Sequence, residues 1–486
     1  MKPITAVLTN PGPATVDALA ATGLVHAMFE LVPGAVVGAP QAGAAARPGV
    51  TAIPAEDPGA GAVVAGLFER AETPVLLEVH GDFDPHPTAI ARLVATVTAA
   101  GAGMAYGDWV DATAAGPAPH PVADYQRGSF EDAFPFGPIR AWSVATARKA
   151  LAAVPIAGLA HHGWYALRLE LAEHAPIVHL PEPLGTATPL DTRASGQRVF
   201  DYLTATRARQ IEAEAVVTRH LDRLGALVKG PFRSFAPTGT FPVVASVVIP
   251  VKNRVKTVID AVDSALSQQT SFPFNVIVVD NHSTDGTTLA LRERASADRR
   301  LVHVTPDRQD LGIGGCWNVA VNHPQAGKYV VQLDSDDLYS GPDTLARMVA
   351  ALVEGDCGLA VGSYTLVNMK LEPIPPGLID HKEWTDDNGP NNALRIGGLG
   401  APRAYATELL RQNPFPNASY GEDYCAVLRV CREYKVGRVY DSLYLCRRWE
   451  DNSDADLNHA TKARFQTYKD RIRTLELAAR IRGNRR

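Results

Sequence analysis

Apolar positions along this chain fall into runs of two kinds. Val243–Val251 is almost continuously apolar with no alternation, the mark of a strand covered on both faces. Val255, Val258, Ile259, Val262 and Leu266 instead repeat at helical spacing within 255–269. Asn275–Asp280 is a second apolar strand, and Thr287–Arg299 and Gly315–Asn322 read as helices. Lys328–Leu333 is a β-branched run that stops at Asp334-Ser335-Asp336-Asp337. Strands alternating with helices predict α/β architecture, a mostly parallel sheet with helices on both faces. Ligands of such sheets bind outside the carboxyl ends of the strands. Pro250–Arg254, Asp280 and Asp334–Asp337 all lie at those ends.

The first half repeats the second in outline. Strand Pro74–Phe83, helix Pro87–Val97 and strand Gly103–Asp111 match the acidic strand, the helix from Pro342 and strand Gly358–Val367. The match continues with Phe136-Gly-Pro-Ile-Arg-Ala-Trp142 over Leu399-Gly-Ala-Pro-Arg-Ala-Tyr405. Each half then closes on a long charged helix, Val199–Leu224 and His459–Arg482. The same order of elements twice over implies an internal duplication, with its boundary in the Gly/Pro-rich linker Lys229–Pro242. The expected domains are 1–235 and 236–486, the second including the terminal helix. The copies differ in their acids. Where the second has Asp334-Ser335-Asp336 the first has His80-Gly81-Asp82, and His162-Gly163 stands over Glu422-Asp423. The first copy is therefore expected to be a non-catalytic scaffold.

Composition narrows the class. A net charge of −5 gives no general attraction to nucleic acid, and five cysteines at no metal-like spacing suggest reduced thiols. The amino-terminal residues lack the basic flank and apolar core of a signal peptide. No run of about 20 apolar residues is present to span a bilayer. The expectation is a cytoplasmic protein. The basic, amphipathic stretch Lys462–Arg486 has two readings, peripheral contact with the inner membrane surface and packing between the domains with its charges solvated.

The acidic strand end is the candidate chemistry. Asp334 and Asp336 share one side of a strand, and carboxylates that near repel unless a proton or a cation intervenes. Oxygen-only ligation suits Mg²⁺ or Mn²⁺, while a strand followed by a turn is the plain alternative. Leu311-Gly-Ile-Gly-Gly315 is a poor dinucleotide fingerprint and reads as a tight turn opening the next helix. The irregular segment Ile374–Arg395 reads as a functional loop on the acceptor side.

Taken together, Val247–Arg254, Ile277–Thr287, Trp317-Asn318, Asp334–Asp337, Gly421–Tyr424 and Cys446–Trp449 resemble family 2 glycosyltransferases over most of Phe241–Arg486. The resemblance implies a GT-A fold in tandem, and transfer of a sugar, with inversion, from a nucleoside diphosphate donor such as a UDP-sugar to a hydroxyl acceptor in glycan assembly. It implies that Pro250, Val251, Asn253 and Arg254 line the nucleoside pocket with Trp317 and Asn318. Asp280 would bind the base, with a turn cap as its alternative. Asp334 and Ser335 would lie near ribose and diphosphate, and Asp336 with Asp334 would hold the Mn²⁺ or Mg²⁺. Asp423 would be the general base and Glu422 would orient the acceptor. Against this, a helix start favours the carboxylate anion, and capping is the alternative. Arg448 and Trp449 resemble the loop that closes on the diphosphate; a surface arginine pair is the equal alternative. A nucleotidyltransferase, a retaining transferase and a non-catalytic carbohydrate-binding assembly protein stay open.

Overall fold

Buried apolar strands and the helices between them form two nine-stranded sheets in the computed structural model, which describes residues 2–33, 49–188, 207–449, 452 and 457–485. The first sheet contains β1 (Ile4–Thr9), β2 (Val25–Pro33), β3 (Val50–Ala55), β4 (Val75–His80), β5 (Phe83–Pro85), β6 (Met104–Thr113), β7 (Gly116–His120), β8 (Ile139–Ser143) and β9 (Ile177–Ala187). The second contains β10 (Ala245–Val251), β11 (Phe274–Asp280), β12 (Leu301–Val304), β13 (Tyr329–Gln332), β14 (Leu338–Tyr339), β15 (Leu359–Val367), β16 (Pro373–Ile379), β17 (Arg403–Ala406) and β18 (Val436–Arg447). Their orders are β3-β2-β1-β4-β8-β6-β9-β5 and β12-β11-β10-β13-β17-β15-β18-β14, with β7 and β16 paired to β6 and β15. Position for position these are one topology twice.

Each sheet is mixed. The strands up to β4 and up to β13 pair in parallel, as their apolar runs predict. Beyond them β8 and β17 enter antiparallel. Val247, Ile249, Val276 and Val278 have no exposed surface, which accounts for the lack of alternation in these strands. The segment expected to be a loop, Ile374–Arg395, begins instead as strand β16, folded back on β15. Its prolines and Gly377 obscured the pattern.

The chain divides into two compact units, and the division departs from the expected one. The first runs to Ala226 and takes in the terminal helix, His459–Asn484, as far as Ile481; the second begins at Leu227. The linker goes with the second unit because its backbone is used there. Arg233 N donates to Glu433 O at 2.8 Å, and Phe235 N to Asp356 O at 2.8 Å. The terminal helix goes with the first unit through a buried charge cluster. Arg473, with no exposed surface, donates to Asp470 Oδ1 and to Glu131 Oε1, both at 2.5 Å. Ser129 Oγ donates to Asp470 Oδ2 at 2.7 Å. Arg480 is likewise buried, on Glu476. Two of the basic residues that suggested a membrane face are thus spent inside the protein. The other long helix spans Arg207–Arg223, and the expected start at Val199 lies outside the described residues. No described helix is long and apolar enough to cross a membrane.

Removing one partner of a buried ion pair leaves the other charge uncompensated. Arg473→Met is expected to lower stability by about 3–5 kcal/mol, read as an earlier urea transition of the full chain. An unchanged midpoint would show that this cluster does not anchor the helix.

Candidate active site

Parallel pairing of β10 with β11 sets Val251 beside Asp280, and β13 lies on the other side of β10. The loops after these strands are stitched together. Asn253 takes a left-handed conformation, φ 54°. Its N–H donates to Ser283 Oγ at 2.9 Å and its Oδ1 accepts from Thr284 N at 2.8 Å. Arg254 N donates to Thr287 Oγ1 at 2.9 Å, and Val255 N to Asp285 Oδ2 at 3.0 Å. Pro250 and Val251 form the floor of this loop, and Asn281 N donates to Val251 O at 2.8 Å.

Asp280 is enclosed, with no exposed surface. It accepts from Ser283 N at 3.1 Å and Thr288 Oγ1 at 2.5 Å, and lies 3.3 Å from His303 Nε2. Burial works against its ionisation, but the contacts with His303, Ser283 and Thr288 hold its pKa well below the usual range. In this state Asp280 ties the turn, the alternative noted from sequence.

Asp334–Asp337 follow β13 with alternating exposure: Asp334 and Asp336 are partly exposed, Ser335 and Asp337 buried. Asp334 accepts from Gln332 Nε2 at 3.0 Å, while its N–H donates to the Tyr444 hydroxyl at 3.0 Å. Asp336 faces a closing loop. Its Oδ2 accepts from Trp449 Nε1 and Asn452 Nδ2, both at 3.3 Å, and lies 3.8 Å from Arg254 Nε. Burial, then the charges of the neighbouring acids, push the Asp334 and Asp337 carboxyls above their ordinary range. A hard divalent cation would relieve this crowding, and carboxylate oxygens are the donors such an ion takes.

Arg447 completes this side. It is buried at the end of β18: its N–H donates to Asp337 Oδ1 at 2.7 Å, Nε donates to Asp336 O, and Nη1 reaches Asp260 at 3.0 Å. Its Nη2 is buried with no hydrogen-bond partner. Arg448, the arginine favoured from sequence, donates its backbone N–H to Val367 O.

The second acid pair opens the helix Glu422–Cys431. Gly421 precedes it at φ 76°, a conformation that suits glycine. Asp423 lies in the first turn, about one-third exposed, with Oδ2 2.8 Å from Arg403 Nη1 and Oδ1 accepting from Tyr424 N at 2.6 Å. Glu422 is buried beside it, its Oε2 unpartnered, and burial followed by the Asp423 charge pushes its pKa up to about 8. Arg403 reaches this group from β17, whose pairing with β13 (Val331 opposite Ala404) puts it near Asp334. One buried guanidinium therefore stands in the field of Asp423, Asp334 and Glu422.

Trp317 and Asn318 do not join the acids. Trp317 packs on Phe415, and Asn318 uses both amide atoms on the Phe415 backbone, at 2.8 and 3.0 Å. The glycines before them serve packing, since a Cβ on Gly314 would stand 2.0 Å from Pro416 O.

The same positions in the first unit are occupied differently. His80 lies on Glu78 at 2.6 Å, and Arg140, the counterpart of Arg403, reaches Glu78 at 3.3 Å. Asp82 packs onto the loop after β1, so closely that a Cβ on Gly12 would stand 1.8 Å from its Oδ1. The helix Gly163–Leu171 has no acid in its first turn. Glu212, from another helix, accepts there from the backbone N–H groups of Ala160, His161 and His162.

Residues 246–428 match the family model for glycosyl transferase family 2. This half of the chain resembles family 2 glycosyltransferases. Among relatives, an uncharacterised glycosyltransferase of Rickettsia felis is 27% identical over 196 residues, 40% of this chain and 31% of that one. TuaG of Bacillus subtilis, named for teichuronic acid biosynthesis, is 32% identical over 155 residues, 32% of this chain and 59% of that one. The chain thus spans from about a third to three-fifths of these relatives' lengths. A solved structure of S. aureus TarS with UDP-GlcNAc aligns at 21% identity and TM-score 0.35, covering 49% of this chain and 72% of that one. The family 2 match takes in β10 to the helix Glu422–Cys431, and with it both acid pairs and Arg403.

Glu422 carries a pH signature. Its folded pKa, about 8, lies above its ordinary 4.5, so the native state binds the extra proton. Its contribution is present in full below pH 4.5 and is lost as pH rises through about 8. Glu422→Gln is expected to flatten the fall in stability across that window, measured by urea unfolding at stepped pH. Parallel curves for the two proteins would show that Glu422 is ionised throughout.

Proposed function

We propose that this chain is an inverting glycosyltransferase that moves a sugar from a nucleoside diphosphate, a UDP-sugar by family resemblance, to a hydroxyl acceptor. What carries the reading is one arrangement. A strand-end acid set fit for a divalent cation and a second, partly exposed acid stand near the same buried arginine, within the family 2 region. A cation bound by Asp336 and Asp334 would neutralise charge on the diphosphate, and Mn²⁺ or Mg²⁺ suits those oxygens.

The remaining work falls to the chain. Asn253 and Arg254 hold the loop beside the nucleoside, on the floor of Pro250 and Val251. Asp280 shapes that loop without offering itself to the base. As the acceptor oxygen bonds to the anomeric carbon, its proton passes to Asp423 and the bond to the diphosphate breaks. Arg403 fixes one oxygen of Asp423, which orients the base but also stabilises its anion. Glu422, carrying a proton beside it, keeps a second negative charge away. Charge gathering on the diphosphate faces Arg254 and the unpaired Nη2 of Arg447, and Trp449 covers Asp336. Assembly of a surface polysaccharide is the setting favoured by TuaG and by RfbC of Myxococcus xanthus, named for O-antigen biosynthesis. The first unit acts as a scaffold, since Asp82 fills the space beside its β1 loop.

The test is turnover and calorimetric donor binding against a panel of nucleotide sugars with Mn²⁺. Asp423→Asn is expected to keep donor affinity while transfer falls by about 100-fold or more. Asp336→Ala is expected to lose metal-dependent donor binding as well. Equal loss of binding and transfer in Asp423→Asn would make that residue structural, and metal-dependent turnover in Asp336→Ala would remove the cation assignment. Changing His80 and Asp82 together to alanine is expected to leave the rate within about twofold, in line with surface changes away from a site; a large loss would give the first unit a part in catalysis.

A further inference from the structure

We propose that Asp111, His120 and His459 form a second metal site, in the first unit, for a transition-metal cation of the zinc class. The hairpin β6–β7 places Trp109 opposite His120 and Asp111 opposite Ala118. Trp109 and Asp111 are two residues apart on one strand and share its face. His459, the first residue of the terminal helix, reaches the same point from the far end of the chain. Asp111 Oδ2 lies 2.7 Å from His120 Nδ1 and 3.5 Å from His459 Nε2, and one ligand atom from each residue lies within 4.8 Å of the others. Donors around a tetrahedral zinc with bonds of about 2.0–2.2 Å stand roughly 3.3 Å apart, and the two distances bracket that value.

The surroundings fit. Trp109 Nε1 donates to Asp111 Oδ1 at 2.8 Å, which fixes the carboxylate and turns Oδ2 toward the imidazoles. Two imidazoles and one carboxylate suit zinc or its neighbours and not Mg²⁺, and three protein ligands leave a fourth position for water. The rings of His120 and His459 are stacked, 3.6 Å between centroids and 25° apart. Face-to-face rings cannot both aim a nitrogen at one ion, so coordination swings the partly exposed His459 ring out of the stack while the proton between His120 and Asp111 leaves to solvent. A metal here would clasp the start of the terminal helix to the β6–β7 hairpin. That role is separate from the acids near Asp336.

The experiment uses the full, tag-free chain carrying Asp336→Ala, stripped with chelator and titrated with Zn²⁺ and separately with Mg²⁺ by calorimetry. Expected is one Zn²⁺ per chain, no Mg²⁺ response, and a change in tryptophan fluorescence because Trp109 stacks on His120 at 3.8 Å. His459→Ala, a change at a partly exposed helix start, is expected to weaken Zn²⁺ at least tenfold with circular dichroism unchanged, and His120→Gln to do the same. Zn²⁺ binding that survives both variants, or no binding before either is made, overturns the proposal and leaves a hydrogen-bonded stack.

Discussion

A single buried guanidinium, Arg403, pairs with Asp423 and stands in the field of Asp334 and Glu422. Asp334, Glu422 and Asp423 come from two separate elements, and a positive charge among them lessens the repulsion of so close a set. Arg403 reaches them because β17 runs antiparallel beside β13, which sets its side chain next to the end of the acidic strand. The site is therefore tied to a place where each sheet departs from parallel order. In the first sheet the same pairing brings Arg140 to Glu78, with the acids around it changed.

The sequence made the polar strand ends legible because β10, β11 and β13 are buried on both faces, so a carboxylate at the end of an apolar run stands out. The duplication was legible for a related reason: its helices and strands keep their order even where the acids differ. Less was readable where register decides. Arg447 and Arg448 are adjacent, and only the pairing of β18 tells which of them faces inward. Arg403 carried a signal that was visible and not used, the repeated Arg of the two matching segments. Trp317 and Asn318 stand where the family pattern leads one to expect donor contacts, yet Phe415 takes up both, a contact no local pattern encodes.

The two units show what a repeated topology keeps when its acids differ. The helix Gly163–Leu171 has no acid in its first turn, and the N–H groups of Ala160, His161 and His162 that lead into it need a partner. Glu212 supplies it from elsewhere in the unit, and its own pKa is held down to about 2, burial being outweighed by those contacts and His162. In the second unit the acids sit in the helix itself, with Asp423 partly exposed and Glu422 buried.

The last helix begins and largely ends in the first unit although it follows the second in sequence. The first unit is thus discontinuous along the chain, and the second is in effect an insertion between its parts. A single cut at the linker cannot separate the two cleanly. It would send Arg473 and Arg480 away with the wrong fragment and strip Glu131 and Ser129 of their partners. Dissecting the activities of this protein calls for excising an internal segment and rejoining its flanks, or for a circularly permuted chain, in place of simple truncation.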